Sequence, residues 1–446
     1  MRLSIDRLFE TSAIALMAGG LIVVAPAGSA MAGKFKVLHS FCGSHDGCLP
    51  EGGLVMDQSG NFFGTTSEGG KHEAGHGTVY ELQRTDSGRL RYKRGFSFCN
   101  RYECDPPIAN PIGNLIVDTK GNLYGLTSDG QVFELSPPTG GSGKWTDKLL
   151  YQFCSQQNCA DGYDPVGGLA YAGQSSGTLY DGTSPLYGAT GLGGTNSAGT
   201  VYELTNSGGQ WTETVLHDFC SQGKDKCTDG KDPAGGVLLD QAGNLYGLAS
   251  EGGNTSGTGV AYELAPNGNF WSETVLYAFC AEAGCSDGAY PVGGLAMDAE
   301  GNLLGVTAGG GVACMGEPSG CGTIFKIVPN GGTSQESVLY TFCSQSDCRD
   351  GRGPQAGLII GSSGELFGTT YFGGGNDIDI NGLGGGVVFE LSGSSYRVLH
   401  SFCSLSGCAD GEYPAATLVN DTSGNVLGTA ALGGSFGNGA LFQLTP

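Results

Sequence analysis

An all-β chain is predicted, closed as a seven-bladed β-propeller with four antiparallel strands per blade, and three observations lead there. A Phe-Cys pair recurs at Phe41-Cys42, Phe98-Cys99, Phe153-Cys154, Phe219-Cys220, Phe279-Cys280, Phe342-Cys343 and Phe402-Cys403, in steps of 57, 55, 66, 60, 63 and 60 residues. Self-similarity at a fixed period marks a repeat architecture. Between the pairs lie short segments rich in aliphatic, aromatic and Thr residues, bounded by Gly, Asn, Asp or Pro, which is the strand signature. The composition agrees: 83 Gly in 446 residues and 14% charged residues favour many tight turns over coiled coil or disorder.

The chain opens on a segment unlike the repeats. Arg2 and Arg7 precede an apolar run from Ala13 to Ala25, and small residues end in Ala30-Met31-Ala32. That is the pattern of a secretory signal peptide with an A-x-A cleavage site before Gly33. The apolar run is too short for a comfortable membrane span. The expected organisation is therefore a signal peptide over 1–32 and a single propeller domain over 33–446, exported to an extracellular or periplasmic location, monomeric, with no membrane span in the mature chain. Arg2 and Arg7 are offset by Asp6 and Glu10, so the net charge of -22 stays with the mature protein. Such a charge repels phosphate backbones, which excludes nucleic acid as a partner and leaves glycans, proteins and cations.

The four segments of a repeat are clearest in the fourth copy. They run Gly236–Asp240, Asn244–Leu248, Val260–Leu264 and Glu273–Phe279. None carries apolar residues at helical spacing. Four strands make one propeller blade, and stacking blades radially buries faces that a lone blade leaves exposed.

Two resemblances bear on strand order and kinship. Gly294-Leu295-Ala296-Met297-Asp298 followed by Gly301-Asn302-Leu303-Leu304-Gly305 resembles the repeats of NHL-type propellers, where the Gly-Leu-x-x-Asp strand lines the central channel. The resemblance implies that the segment ending in Phe-Cys is outermost. The chain has one such segment at Lys36–Phe41 and ends on a third strand, Leu441–Leu444, so the N-terminal strand is expected to complete the last blade. The first copy also resembles the GloVer repeat (choice-of-anchor tandem repeat) family of secreted bacterial proteins, through Gly53-Leu54, Asp57, Gly60-Asn61, Gly64-Thr65-Thr66, Gly69-Gly70 and Gly77-Thr78-Val79-Tyr80-Glu81-Leu82. The match extends over all seven copies and implies export and a repeat architecture, but no activity. Many members of that family end in a surface-sorting tail; here Thr445-Pro446 follows the last strand directly, and anchoring by such a tail is not expected.

Sixteen cysteines in an exported chain are read as local disulfides. Seven pairs follow the Phe: Cys42/Cys48, Cys99/Cys104, Cys154/Cys159, Cys220/Cys227, Cys280/Cys285, Cys343/Cys348 and Cys403/Cys408; an eighth, Cys314/Cys321, lies in a loop of copy five. Each short closure stabilises by about 2 kcal/mol on the chain-entropy account. Structural zinc is the rival, but it needs four converging ligands, and successive pairs are expected on different blades.

The strand order puts two kinds of loop on one face: the Cys-bearing links between blades and the links from second to third strand. The second kind varies most, from Ser128-Asp129-Gly130 to the long stretch Tyr371–Gly386. Variable loops on a rigid scaffold are the usual seat of function. Hairpin turns such as Asp57-Gln58-Ser59-Gly60-Asn61, on the other face, ask for turn chemistry only.

Three motifs stand on the loop face. His72-Glu73-Ala74-Gly75-His76 spells H-E-x-x-H, but its glycine-rich surroundings leave no room for the helix that aligns both histidines on zinc. Asp377, Asp379 and Asn381 open a calcium-type loop ending in Gly382, although position twelve is Val388, not Glu, so a propeller-type Ca2+ loop competes with a solvated acidic loop. Asp-Gly recurs at Asp161, Asp229, Asp287, Asp350 and Asp410, either as an acidic crown for cations or as ordinary turns. His39, His217 and His400 read as strand positions, His45 stands alone, and Trp145, Trp211 and Trp271 read as packing. No nucleophile elbow, P-loop or dinucleotide fingerprint appears. The function expected is a secreted binding or adhesion module with a glycan or protein ligand, an extracellular polysaccharide hydrolase or lyase being the alternative and a structural envelope protein the third.

Overall fold

The computed structural model describes residues 34–43, 46–71, 75–99, 108–138, 143–223, 226–314, 320–330, 334–375 and 383–446. The chain divides into two compact units, Met1–Ala32 and Gly33–Pro446; the first lies outside the described residues. The second is all-β and propeller-like: among the described residues it forms four four-stranded sheets, one five-stranded sheet and one eight-stranded sheet. The eight-stranded sheet is two four-stranded meanders joined by a single parallel bridge between Asn114 and Gly168.

Copy five shows the pattern. Ala289–Met297, Leu303–Gly309, Thr323–Val328 and Gln335–Thr341 pair in sequence order, each antiparallel to the next. The turn from first to second strand is fixed by an Asx arrangement. Asp298 Oδ1 accepts the backbone N–H groups of Glu300 and Asn302 at 3.1 and 2.8 Å, and the Asn302 amide donates back to the same carboxylate. Such side-chain capture of turn amides is why Asp and Asn mark these turns.

The first strand of each repeat is less regular than its sequence suggests. In copy four it is two pieces, Lys231–Pro233 and Leu238–Leu239, and in copy five the register slips between Val292 and Ala296. The break falls where first strands of neighbouring copies meet. A Cβ on Gly113 would overlap the Gly167 carbonyl, one on Gly167 the Gly236 amide, and one on Gly293 the Ala356–Gly357 peptide. Glycine is needed here because another backbone occupies the space.

One aromatic contact recurs at every junction between consecutive copies. The Phe of each Phe-Cys pair meets an aromatic residue on the third strand of the next copy: Phe41–Tyr80, Phe98–Phe133, Phe153–Tyr202, Phe219–Tyr262, Phe279–Phe325, Phe342–Phe389 and Phe402–Phe442, with ring centroids 4.7–5.3 Å apart. All fourteen rings are at most 1% exposed. The edge-on and tilted geometries are those the ring quadrupole favours. The third-strand ring lies over a glycine of the second strand, Gly64, Gly125, Gly188, Gly247, Gly305, Gly368 or Gly428, where any Cβ would overlap it. Thus the Gly in Leu-Tyr-Gly-Leu and the Tyr in Val-Ala-Tyr-Glu belong to one packing unit.

A second contact locks the loop side. The glycine that opens the third strand faces the proline ring of the following copy, as in Gly77–Pro111, Gly199–Pro233, Gly259–Pro291, Gly322–Pro354 and Gly386–Pro414, and Gly439 faces Pro50 of the first copy. The residue before each of these prolines donates its N–H to the preceding copy, from Asn110 to the His76 carbonyl at 2.8 Å, and from Leu49 to the Asn438 carbonyl at 3.0 Å. The N-terminal strand Lys34–Ser40 pairs with Ala440–Thr445, from Lys34–Thr445 to Ser40–Ala440. It is the outer strand of the last sheet, which also holds Val426–Ala430 and Val419–Asn420.

Phe219→Ala should lower unfolding free energy by about 3–5 kcal/mol, the usual cost of emptying a fully packed Phe site, measured by urea titration. Removal of Lys34–Ser40 should depress the melting temperature sharply, because it bares the edge of the last sheet; an unchanged melting curve would refute the role given to this strand.

Candidate functional site

The Cys-bearing links and the second-to-third-strand links lie against each other on one face. The N–H groups of Gly194, Gly253, Gly311, Gly374 and Gly434 donate to the carbonyls of Cys159, Cys227, Cys285, Cys348 and Cys408 at 2.8–3.0 Å. Disulfides join Cys42–Cys48, Cys154–Cys159, Cys220–Cys227, Cys280–Cys285, Cys314–Cys321, Cys343–Cys348 and Cys403–Cys408. Cys99 is also disulfide-bonded, and Cys104 lies outside the described residues. The expectation that successive pairs stand on different repeats fails at one place, where the eighth pair lies beside Cys343–Cys348. Both Cys314–Cys321 and Cys343–Cys348 belong to copy five, and their four sulfurs lie within 4.8 Å of one another. The repeat folds its second-to-third-strand link back over the link that follows its fourth strand.

The links are tight enough to force left-handed backbone on ordinary residues. The pre-proline positions Leu49, Asn110, Asp164, Asp232, Tyr290 and Tyr413 have φ of 56–59°. Each costs roughly 1–2 kcal/mol in a non-glycine residue. The disulfide supplies one restraint, and a buried carboxylate supplies the other.

That carboxylate is the Asp of Asp-Gly, which serves its own link, in keeping with the turn reading of this motif and not with the acidic crown. Asp161, Asp229, Asp287, Asp350 and Asp410 are at most 2% exposed. Asp161 accepts the Ser155 N–H and hydroxyl at 3.0 and 2.7 Å, the Gln156 N–H at 3.2 Å and the Tyr151 hydroxyl at 2.8 Å. Asp350 repeats the set with Ser344, Gln345 and Tyr340, and Asp410 with Ser404, Leu405 and the His400 ring at 3.0 Å. Burial pushes the Asp161, Asp229 and Asp410 carboxyls up, but the converging hydrogen bonds outweigh it and hold them below the ordinary value. These acids face inward to the link. His39, His217 and His400 have the same job as Tyr151, Tyr277 and Tyr340: each stands two residues before the Phe and reaches the acid of its own link, His39 at 2.8 Å from Asp46 and His217 at 3.5 Å from Asp229.

The outer-strand position six before the Phe seals the seam to the preceding copy in two ways. Tyr92, Tyr396 and Phe35 stack on His39, Tyr340 and His400 at 3.6, 3.8 and 3.5 Å. Copies three to five place Glu213, Glu273 and Glu336 there instead. Each has one buried carboxylate oxygen without a hydrogen-bond partner. Burial, followed by the nearby Asp161 and Asp218 carboxylates, pushes Glu213 up to about 8. Burial dominates again at Glu273, pushed up to about 7, where His217 pulls down and Asp229 up, and at Glu336, pushed up to about 7 beside Asp287 and Glu282.

At the axis, first-strand segments of copies two to seven, together with Glu51 from the link into copy one, surround a cavity of about 400 Å³. Gly168, Gly236, Gly294 and Gly357 give it backbone walls, Asn114 and Thr417 add polar side chains, and Glu51 stands at the loop-face end. The Asn114 amide oxygen is held by the Gly53 N–H at 3.0 Å. Near this opening Tyr371 stacks on Tyr413 with centroids 4.8 Å apart, and Phe372 packs edge-on to Tyr413. Burial, with added repulsion from Glu51 and Glu412, pushes the Tyr371 hydroxyl up. Tyr163 and Tyr290, 44% and 38% exposed, occupy matching links elsewhere on the face.

Other candidates fall away from this opening. Asp377, Asp379 and Asn381 lie outside the described residues, as do His45, His72 and Glu73. His76 forms a parallel bridge with Gly69. Trp145 meets Phe63 edge-on, Trp211 is 7% exposed in a core cluster, and Trp271 packs edge-on to Tyr187. No helix among the described residues is long and apolar enough to cross a membrane.

The three raised glutamates set a pH dependence. Each holds its proton more tightly folded than unfolded, so its stabilisation is complete below the ordinary value of 4.5 and is lost as pH rises through 7–8. Melting temperature should be several degrees higher at pH 5 than at pH 8.5, and the combined Glu213→Gln, Glu273→Gln and Glu336→Gln protein should lose most of that slope in scanning calorimetry.

Disulfides at this density suit an oxidising, exported setting. No curated protein matches the chain. Among solved structures, the extracellular domain of BT3049 from B. thetaiotaomicron, described as a hybrid two-component system, superposes with a TM-score of 0.50 at 12% identity over 90% of this chain. The match spans 40% of that structure's own length, and the likeness is one of fold. YCF48 from Cyanidioschyzon merolae aligns over 92% of this chain and 98% of its own, with a TM-score of 0.49 and 12% identity. The Gloeobacter/Verrucomicrobia repeat matches residues 181–378 and 311–446, more than half of the sequence and the part holding copies four to seven. With the same Gly and aromatic positions filling the same places in every sheet, the chain belongs to the Gloeobacter/Verrucomicrobia repeat family.

Proposed function

We propose that residues 1–32 export the chain and that 33–446 close as a seven-bladed β-propeller, acting as a monomeric secreted module that binds an extracellular glycan through the Cys-bearing face. The ring is supported by the run of seven Phe–aromatic contacts, which passes from the last copy to the first through Phe41 and Tyr80, and by the pairing of Lys34–Ser40 with Ala440–Thr445. The observation that carries the binding reading is the opening at the axis, where a polar cavity meets the Tyr371–Tyr413 stack and Glu51 on a scaffold held by disulfides. Concave sites with a few fixed polar groups and aromatic walls are the usual form of small-ligand pockets. Asp377, Asp379 and Asn381 would add a calcium-dependent component on the same face.

The test is retention of the 33–446 protein on insoluble and immobilised polysaccharides, with calcium or chelator, alongside assay of soluble sugar release. Saturable retention without release is expected, weakened at least tenfold by Tyr371→Ala. Release of new product would replace the binding reading with a hydrolase or lyase, and absence of retention on every glycan would reject it in favour of a protein ligand or a structural role.

A further inference from the structure

We propose that the axial cavity is a cup closed at its hairpin end, and that it takes one or two terminal units of a neutral sugar. The inference rests on the glycan reading of the loop face and adds the site and the ligand class.

The closed end comes from one unusual hairpin. Six copies turn from first to second strand within five residues, at Asp57–Asn61, Asp118–Asn122, Asp240–Asn244, Asp298–Asn302, Gly361–Glu365 and Asp421–Asn425. Copy three instead uses the stretch from Tyr171 to Pro185. This insertion reaches sideways in both directions. The Tyr180 carbonyl accepts the Thr119 N–H of copy two at 3.0 Å, and the Ser175 hydroxyl donates to the Leu239 carbonyl of copy four at 3.4 Å. Its single turn, Gln174–Ser176, brings Gln174 and Ser175 into the cavity lining. The cavity therefore runs from Glu51 and Gln355 on the loop face to a floor made by copy three.

The lining decides the ligand class. On a chain of net charge -22 the cavity has, among the described residues, Glu51 as its one ionisable side chain. Uronates, phosphates and sulfates would meet neither a cation nor a screen against the surrounding acids. Peptide groups of the glycine walls, the amides of Asn114, Gln174 and Gln355, and the Thr417 hydroxyl offer donors and acceptors, while Leu238, Leu295 and Leu358 present apolar edges. Alternating hydroxyl and C–H surface is what a neutral sugar brings. A volume of about 400 Å³ is at the small end for ligand pockets. The glycine contacts hold the bore fixed, so little ordering is lost when it fills.

Isothermal titration of the 33–446 protein with glucose, galactose, mannose, N-acetylglucosamine and their disaccharides tests this. At least one neutral sugar should bind at one site per chain. Gln355→Trp, at an exposed mouth position, and Thr417→Trp, inside, should each weaken it more than tenfold with melting temperature unchanged, whereas Tyr163→Ala should not. Glucuronate and galacturonate should not compete. Absence of binding by every neutral sugar, or affinity unchanged in a folded Gln355→Trp protein, would overturn the cup. If polysaccharide retention survives that result, the face reading stands and the cup alone is rejected; if retention is also absent, both are.

Discussion

The contact between the Phe of each Phe-Cys pair and the third-strand ring of the next copy is what the rest of the molecule is arranged around. A four-stranded sheet buries one face readily and leaves the other bare, so it needs its neighbours. Each neighbour is fixed by one ring set against another, and each partner ring needs a glycine beneath it. The spacing of the repeat follows from this. The Phe ends one sheet and its partner stands two strands into the next, so a copy cannot be shortened through its first strands without losing the contact. The Cys that follows the Phe is placed by the same geometry, at the point where the chain leaves a buried ring and turns back toward the axis.

That turn is unfavourable backbone made affordable by local closure. Left-handed residues before Pro, and on the cysteines themselves, would relax if the link were free. The disulfide and the Asp carboxylate both tie the start of the link to its end. The two devices are complementary in chemistry: one fails under reductant, the other under acid strong enough to protonate a carboxylate held below its ordinary value. The glutamates of copies three to five act in the opposite sense. The scaffold is thus most stable on the mildly acidic side of neutrality, and its loop face is rigid for reasons separate from anything it binds.

Much of the fold was legible in the sequence because the repeat displays its strands, turns and period several times over. The four segments of copy four correspond to four strands in the order expected, and the N-terminal strand lies against the last copy. The aromatic partnership was not legible. Phe219 and Tyr262 are both apolar strand residues in the sequence, and their pairing is a fact of how two sheets lie together. The Asp of Asp-Gly was legible as a turn residue, but its burial was not, since turn propensity explains it without burial. A signal existed in the Tyr or His two residues before six of the seven Phe, whose hydroxyl or ring meets that acid. The floor of the cavity escaped notice because the copy-three insertion lies on the face where short turns needed no other account. The calcium motif stays a sequence reading, because its residues lie outside those described.

The pairing of Lys34–Ser40 with Ala440–Thr445 puts the two ends of the described chain in one sheet. A polypeptide made from its N-terminus therefore presents its first strand long before that strand's partner exists. Until then the segment is an open edge with alternating apolar residues, able to pair with any other edge it meets. The bonds between residues 34 and 445 are among the most distant along the chain, and such contacts form late and slowly. The joint that completes the last sheet thus makes the youngest form of the molecule adhesive, so folding in isolation, or with an escort, is built into the topology.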